Sequence, residues 1–131
     1  MASHDVIGDM LTKVRNAANA GHKKVTYRFS KQKHAITKIL VEQGFLESFE
    51  TIGPENKKEI KTVIKYNQGI PVISGLKRIS TPGRRIYKPV DSIPRFMNGL
   101  AVTIVSTSKG ILTGKEAIES KQSGEILCYV W

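Results

Sequence analysis

Ser106-Thr107-Ser108-Lys109-Gly110 sets three hydroxyl side chains, one cation and a glycine in consecutive positions, directly after the apolar run Leu100-Ala101-Val102-Thr103-Ile104-Val105. Hydroxyls donate and accept hydrogen bonds over a short reach, a lysine carries a positive charge on a flexible stem, and glycine frees the backbone to bend. A strand that empties into such a loop suits close contact with a sugar-phosphate backbone or a base edge. Catalysis fits less well. Ser106 and Lys109 match the S-x-x-K spacing of serine acyl-enzymes, but that chemistry places both residues on one helical turn and needs further motifs that this chain lacks. His4, His22 and His34 show no metal-site spacing with Cys128 or with each other, so no metal is expected. No enzymatic activity, cofactor or small-molecule substrate is expected either.

The charge distribution points to the same class of partner. The 131-residue chain carries 21 Lys+Arg against 11 Asp+Glu, a net of +10, and an excess of this size usually means a polyanion partner, nucleic acid more often than anionic membrane. No acid falls between Asp9 and Glu42, whereas Lys13, Arg15, Lys23, Lys24, Arg28, Lys31, Lys33 and Lys38 do. None falls between Glu59 and Asp91, where Lys61, Lys65, Lys77, Arg78, Arg84, Arg85 and Lys88 occur. One such block reads equally well as a solvated face; two in so short a chain favour nucleic-acid binding. Neither block carries a clear helix-turn-helix, and a hydroxyl-rich loop suits major-groove reading poorly, which disfavours a general DNA-binding module. A peripheral membrane protein would want a basic amphipathic helix with bulky anchors, and the first helix is too mixed in charge and too small in its apolar residues. No apolar run approaches the roughly 20 residues of a membrane span. Met1-Ala2-Ser3-His4-Asp5 lacks the basic and apolar regions of a secretory signal, so none is expected.

The elements that must position these residues follow from periodicity. Apolar residues make up 40% of the chain, enough for a packed core. Val6, Ile7, Met10, Leu11, Val14, Ala17 and Ala18 recur at helical spacing, with Ser3 as a candidate cap, Asp5 in the first turn and Gly21 as the stop. Lys24 to Phe29 alternates as a strand, Ser30 can cap a second helix closed by Gly44, and two strands, Phe45 to Ile52 and Ile60 to Tyr66, flank a turn at Gly53-Pro54-Glu55-Asn56. Asn67-Gln68-Gly69-Ile70-Pro71 punctuates the chain and divides it into residues 1–66 and 67–131. Beyond it, strands are expected over Val72 to Ile79 and Arg84 to Tyr87, separated by the turn Ser80-Thr81-Pro82-Gly83. A short helical turn is expected from Asp91-Ser92-Ile93-Pro94 to Asn98-Gly99, and a helix signal begins at Ile111-Leu112-Thr113, where Thr113-Gly114-Lys115-Glu116 matches a capping box. Glu125 to Trp131 alternates with apolar side chains on both faces, which places it inside a sheet. Cys128 within it has no partner for an internal disulfide and predicts a buried thiol, consistent with a reducing compartment.

Several of these segments are also recognisable. Asp5-Val6-Ile7-Gly8-Asp9-Met10-Leu11-Thr12-Lys13-Val14-Arg15-Asn16 resembles the amino-terminal signature of the family of the eighth protein of the small ribosomal subunit, in its bacterial-type form. Val72 to Tyr87, Ile93-Pro94-Arg95, Asn98-Gly99, the Ser106 to Gly110 loop and Gly124 to Trp131 are similar to that family's later segments, in the same order and spacing. The chain departs from the family pattern at Val6, where Pro is common, at Gly8, where Ala is common, at Ser123, and at Gly114 and Lys115. The resemblance implies an α+β protein of two small domains, an α/β amino-terminal domain and a mostly antiparallel β carboxyl-terminal domain with a short helix. It implies a structural role in the small subunit, neighbouring ribosomal proteins as partners, and residence in a ribosome of the cytoplasm or, for an organellar protein, the plastid stroma. It further implies that the carboxyl domain binds a bulged stem in the central domain of small-subunit ribosomal RNA. In several bacterial members the same surface also binds and represses an operon messenger RNA.

Carried over by position, Ser106, Thr107, Ser108, Lys109 and Gly110 form the loop that resembles the family's main RNA contact. Its hydroxyls can meet ribose, including the 2′-hydroxyl, and the edges of unstacked bases. Tyr87 can stack, and Arg84 and Arg85 can meet phosphates; alternation puts Arg85 and Tyr87 on one face and Arg84 on the other. Glu125 can accept from a cytosine amino group or brace the loop. Asn16 and Lys31 are candidates for backbone contact in the amino domain.

Overall fold

A computed structural model describes residues 5–89, 93 and 101–131. The fold is α+β, helices with antiparallel sheets, and it separates into two compact units: Asp9–Ser74, and the residues up to Gly8 together with Gly75–Trp131.

Helix α1 (Val6–Asn19) starts where Asp5 Oδ1 accepts from the Gly8 amide at 3.0 Å, so Asp5 caps the helix rather than standing inside its first turn. The candidate cap Ser3 lies outside the described residues. Within the first-named unit, α1 buries Met10, Leu11, Val14, Ala17 and Ala18, the stripe that its periodicity predicts. Gly21 closes it, with the His22 amide donating to the Ala17 carbonyl at 2.9 Å. Strand β1 (Lys24–Arg28) leads to α2 (Lys31–Glu42), whose cap Ser30 accepts from the Lys33 amide at 3.1 Å. Strands β2 (Leu46–Ile52) and β3 (Glu59–Ile64), joined through a 3-10 turn at Glu55–Lys57, complete an antiparallel sheet in the order β1-β3-β2. On its inner face the buried Tyr27 hydroxyl hydrogen bonds with Thr37 Oγ1 of α2 at 2.6 Å and with Thr62 Oγ1 of β3 at 2.9 Å. A buried phenol needs such partners, and these tie helix to sheet. A two-residue-per-arm hairpin, β4 (Tyr66–Asn67) and β5 (Ile70–Pro71), follows.

The other unit holds β6 (Leu76–Arg78), β7 (Tyr87–Lys88), β8 (Val102–Thr107), β9 (Gly110–Thr113), α3 (Gly114–Glu119) and β10 (Gly124–Val130). Strand β10 is interior, as its two apolar faces predict: β8 runs along one edge, and β6 and β7 share the other. The expected strands over 72–79 and 84–87 are therefore two short pieces, 76–78 and 87–88. Ser80 to Ile86 turns outward between them while the Ser80 amide still donates to the Ile126 carbonyl and the Ile126 amide to the Ile86 carbonyl. The helix signal at Ile111 is corrected as well: Gly110–Thr113 is a strand hairpinned onto β8, with Ile104 opposite Thr113, and the helix starts only at Gly114. The capping box is present, Thr113 Oγ1 accepting from the Glu116 amide at 3.1 Å and Glu116 Oε1 from the Thr113 amide at 3.0 Å. Ala117 of α3 packs with Ile93, Val105 and Ile126 in the buried cluster beneath β8 and β10. The helical turn expected over 91–99 lies outside the described residues, apart from Ile93.

Candidate nucleic-acid interface

Pairing of Thr107 with Gly110 leaves Ser108 and Lys109 as the two residues of the β8–β9 turn. Thr107 Oγ1 accepts from the Lys109 amide at 3.1 Å and donates to the Gly110 carbonyl at 2.8 Å, so this hydroxyl shapes the turn from within. Gly110 stands at φ +110°, a conformation that favours glycine. Ser108 Oγ donates to Gln122 Oε1 at 3.1 Å, which ties the turn to the segment before β10. Ser108, Lys109 and Gly110 are exposed, while Ser106 and Thr107 are half-buried.

The first residues of β10 are threaded between two strands. Gly124 lies opposite Thr107 of β8 and Lys88 of β7, and Glu125 lies opposite Ser106 and Tyr87. A Cβ on Gly124 would run into the carbonyl oxygen of Ser106, so the close approach of β10 to β8 requires glycine here. This register gathers Tyr87, Ser106 and Glu125 into one row. An open cleft of about 610 Å³ is lined by Tyr87 to Pro89, Ser106 to Ser108 and Ser123 to Glu125. Tyr87 is 68% exposed, an unusual state for so large an aromatic side chain.

Glu125 is occupied inside the protein. Its carboxylate accepts from the Ser80 hydroxyl and from Arg85 Nη1 at 3.0 Å, and its side chain is only 13% exposed. Ser80, fully buried, in turn accepts from the Ile86 amide at 3.1 Å. Of the two roles open to Glu125, these partners are those of a brace. The strand alternation expected for Arg84 and Arg85 does not apply, because both precede β7: Arg84 forms a bridge with Thr81, and Arg85 is held by Glu125. Both are exposed, and neither lines the cleft. Asn16 and Lys31 are exposed in the other unit.

A second charged group orders the same unit. Arg78 Nε lies 3.2 Å from Asp5 Oδ2, and its Nη1 donates to the Leu127 carbonyl at 2.7 Å. Burial opposes ionisation of Asp5, but the Arg78 hydrogen bond, the Gly8 amide and the charges of Arg78 and Arg85 together hold its carboxyl below the usual range. Cys128, on the neighbouring strand, is fully buried, and burial pushes its thiol up to about 12.

Sequence reasoning missed Ser80, which reads as a mere turn residue before Thr81-Pro82-Gly83, and it did not single out Lys88, Pro89 or Ser123 as cleft residues. Ser80 carries no sequence signal for its role, since its partner Glu125 is 45 residues away. What the cleft offers is hydroxyls, an exposed aromatic face and one lysine, Lys88, around a glycine-permitted backbone, with Lys109 next to Ser108 in the chain at the turn. Ser80, which donates to the Glu125 carboxylate from behind the cleft, is shut off from solvent.

A family model described as ribosomal protein S8 matches residues 5–131. The chain is 50% identical over 131 residues to the small ribosomal subunit protein uS8 of Alkalilimnicola ehrlichii, covering 100% of both chains. It is 51% identical to the uS8 of Mesoplasma florum, over 97% of this chain and 98% of that one. Against the uS8 of Caldicellulosiruptor bescii the identity is 48%, with 97% of each chain covered. None of the described helices is long and apolar enough to cross a membrane.

Proposed function

The chain belongs to the ribosomal protein S8 family, structural and non-enzymatic constituents of the small ribosomal subunit, and from that membership we propose that its carboxyl unit binds a bulged stem in the central domain of small-subunit ribosomal RNA. The observation that carries this reading is the row formed by β7, β10 and β8, in which the 68%-exposed Tyr87 stands beside the hydroxyl loop. Regular A-form RNA hides its base edges in a deep, narrow groove, whereas a bulge presents unstacked bases. Tyr87 offers such a base a stacking face. Ser106 offers a short donor and acceptor to ribose and base edges, Ser108, whose proton lies on Gln122, offers an acceptor, and Lys109 and Arg84 offer charge to phosphates. Thr107 and Gly110 set the shape of the turn, and Glu125 with Arg85 holds the loop before Tyr87. Asn16 and Lys31 supply backbone contacts from the amino unit. Neighbouring small-subunit proteins are further partners, and the protein resides with them in the ribosome.

The same cleft is suited to a messenger RNA that presents a like bulge, and we propose an operon messenger as its second ligand. A titration tests both readings. The bulged ribosomal stem is the ligand; perfect duplex RNA and duplex DNA of equal length compete, and the operon messenger segment competes in a separate arm. Preference for the bulged stem over both duplexes is expected, with the messenger segment displacing it. Equal binding of all three polyanions would remove the stem-specific reading. A messenger segment that fails to displace the stem would remove the second ligand alone.

A further inference from the structure

The hairpin of β4 and β5 presents an uncharged surface in a strongly cationic chain. The sequence carries 21 Lys+Arg and a net charge of +10, yet no residue from Tyr66 to Leu76 is charged. Asn67, Gln68, Gly69 and Ile70 are all exposed. Ile70 and Tyr87, each 68% exposed, are the most open large hydrophobic side chains among the described residues. Tyr87 lines the cleft of the other unit and has a hydroxyl to offer RNA, whereas Ile70 has only hydrocarbon.

A single exposed apolar residue means little by itself. This one is held in place. Asn67 pairs with Ile70, which leaves Gln68 and Gly69 as a two-residue turn at φ +53° and +79°. Such a turn demands positive φ at both positions, and Gln68 is one of only two non-glycine residues among those described that accept it. The Val72 amide closes the base of the hairpin on the Lys65 carbonyl at 3.0 Å. The Tyr66 hydroxyl donates to the His22 carbonyl at 2.6 Å, which fixes the hairpin to the loop after α1. Pro71, opposite Tyr66, stiffens the second arm. An apolar side chain presented on so constrained a backbone can be buried by a partner at little ordering cost.

The chemistry around Ile70 selects the partner. A polynucleotide is held by cations on its backbone and by aromatic rings on its bases, and Asn67 to Ile70 supply neither. Depletion of charge around an apolar anchor is instead the composition of the centre of a protein–protein interface. The rim differs. Lys23 and Lys24, both exposed, directly follow the His22 carbonyl on which Tyr66 docks, and no described carboxylate lies within ion-pair distance of either. We infer that the β4–β5 hairpin is a docking point for another protein of the small subunit, which seats Ile70 in an apolar pocket bordered by carboxylates facing Lys23 and Lys24. The inference rests on the protein's place in the small subunit and uses none of the cleft's residues.

The test places a photo-crosslinker on the hairpin within an assembled subunit. Ile70→Cys is labelled with a benzophenone maleimide; Cys128, fully buried, does not compete. The labelled chain is assembled with small-subunit ribosomal RNA and the other small-subunit proteins, the subunits are isolated by sedimentation and irradiated, and the adducts are identified by mass spectrometry. One protein should carry the label, on apolar residues with Asp or Glu beside them. Its affinity for the chain, titrated pairwise, should fall about fivefold or more in Ile70→Ser and likewise in Lys23→Glu. Ile70→Ser should leave the urea midpoint and the affinity for the bulged stem unchanged, because Ile70 is exposed and belongs to the unit without the cleft. A label on RNA, on a second copy of this chain or on no single protein would overturn the inference, as would unchanged pairwise affinity in both variants. Those results leave the RNA reading standing, whereas loss of preference for the bulged stem with the hairpin contact intact removes the cleft reading alone.

Discussion

The Ser80 hydroxyl donates to the Glu125 carboxylate across 45 residues of chain, and the same oxygen accepts from the Ile86 amide. One buried serine thus closes both ends of the outward loop between β6 and β7 onto β10, immediately before Tyr87. Ser80→Ala leaves the Ile86 amide without its partner and Glu125 with Arg85 alone. Urea unfolding is expected to show a loss of about 1–3 kcal/mol. Affinity for the bulged stem should fall with it, because the loop that presents Tyr87 is no longer held.

Gly124 gives a steric prediction. Alanine there drives a methyl group into the Ser106 carbonyl and Val105. The expected cost is about 1–3 kcal/mol from forced displacement of packed backbone. Gly83→Ala is the control, since nothing lies within 4 Å of its added carbon and its φ is ordinary. Thermal unfolding should separate the two substitutions clearly.

Much of the fold was legible in local pattern. The α1 stripe, the Ser30 cap, the Thr113–Glu116 capping box and the interior character of β10 each depend on residues within a few positions of one another. What escaped was set by distant pairing. Ile111 and Leu112 look like the start of a helix until β8 claims them as a hairpin partner, with Val105 opposite Leu112 and Ser106 opposite Ile111. The strand pieces at 76–78 and 87–88 are short because the chain leaves the sheet at Ser80, a choice made by Glu125. At the candidate site, the loop 106–110 announced itself through its hydroxyls and glycine. Its frame of Ser80, Ser123 and Gly124 depends on strand register, which no local window contains.

Asp5 and Arg78 predict a pH dependence. The folded carboxyl titrates below the unfolded value of about 4, so its contribution is fully present above that pH and is lost as pH falls through the lower, folded value. Asp5→Asn should therefore be less stable than the unaltered chain by a constant margin between pH 5 and 7. That margin should shrink below about pH 4. Urea midpoints across the range measure it.

Cys128 provides a probe of opening. A thiol held near 12 and buried completely is almost wholly protonated and sheltered at pH 8. Alkylation by iodoacetamide should be slow in the native protein, should accelerate on unfolding in urea, and should speed up in Ser80→Ala by about tenfold for each 1.4 kcal/mol of stability lost.

RNA contact at the row of β7, β10 and β8, as proposed above, turns on Tyr87 and Lys109. The most direct measurement is the affinity of Tyr87→Ala and Lys109→Ala for the bulged stem over a series of salt concentrations. Loss of base stacking in Tyr87→Ala should weaken binding by about tenfold or more at every salt. Lys109→Ala should instead lower the salt slope by about one unit. Both variants binding within about twofold of the unaltered chain, with the same slope, would move the RNA contact off this cleft.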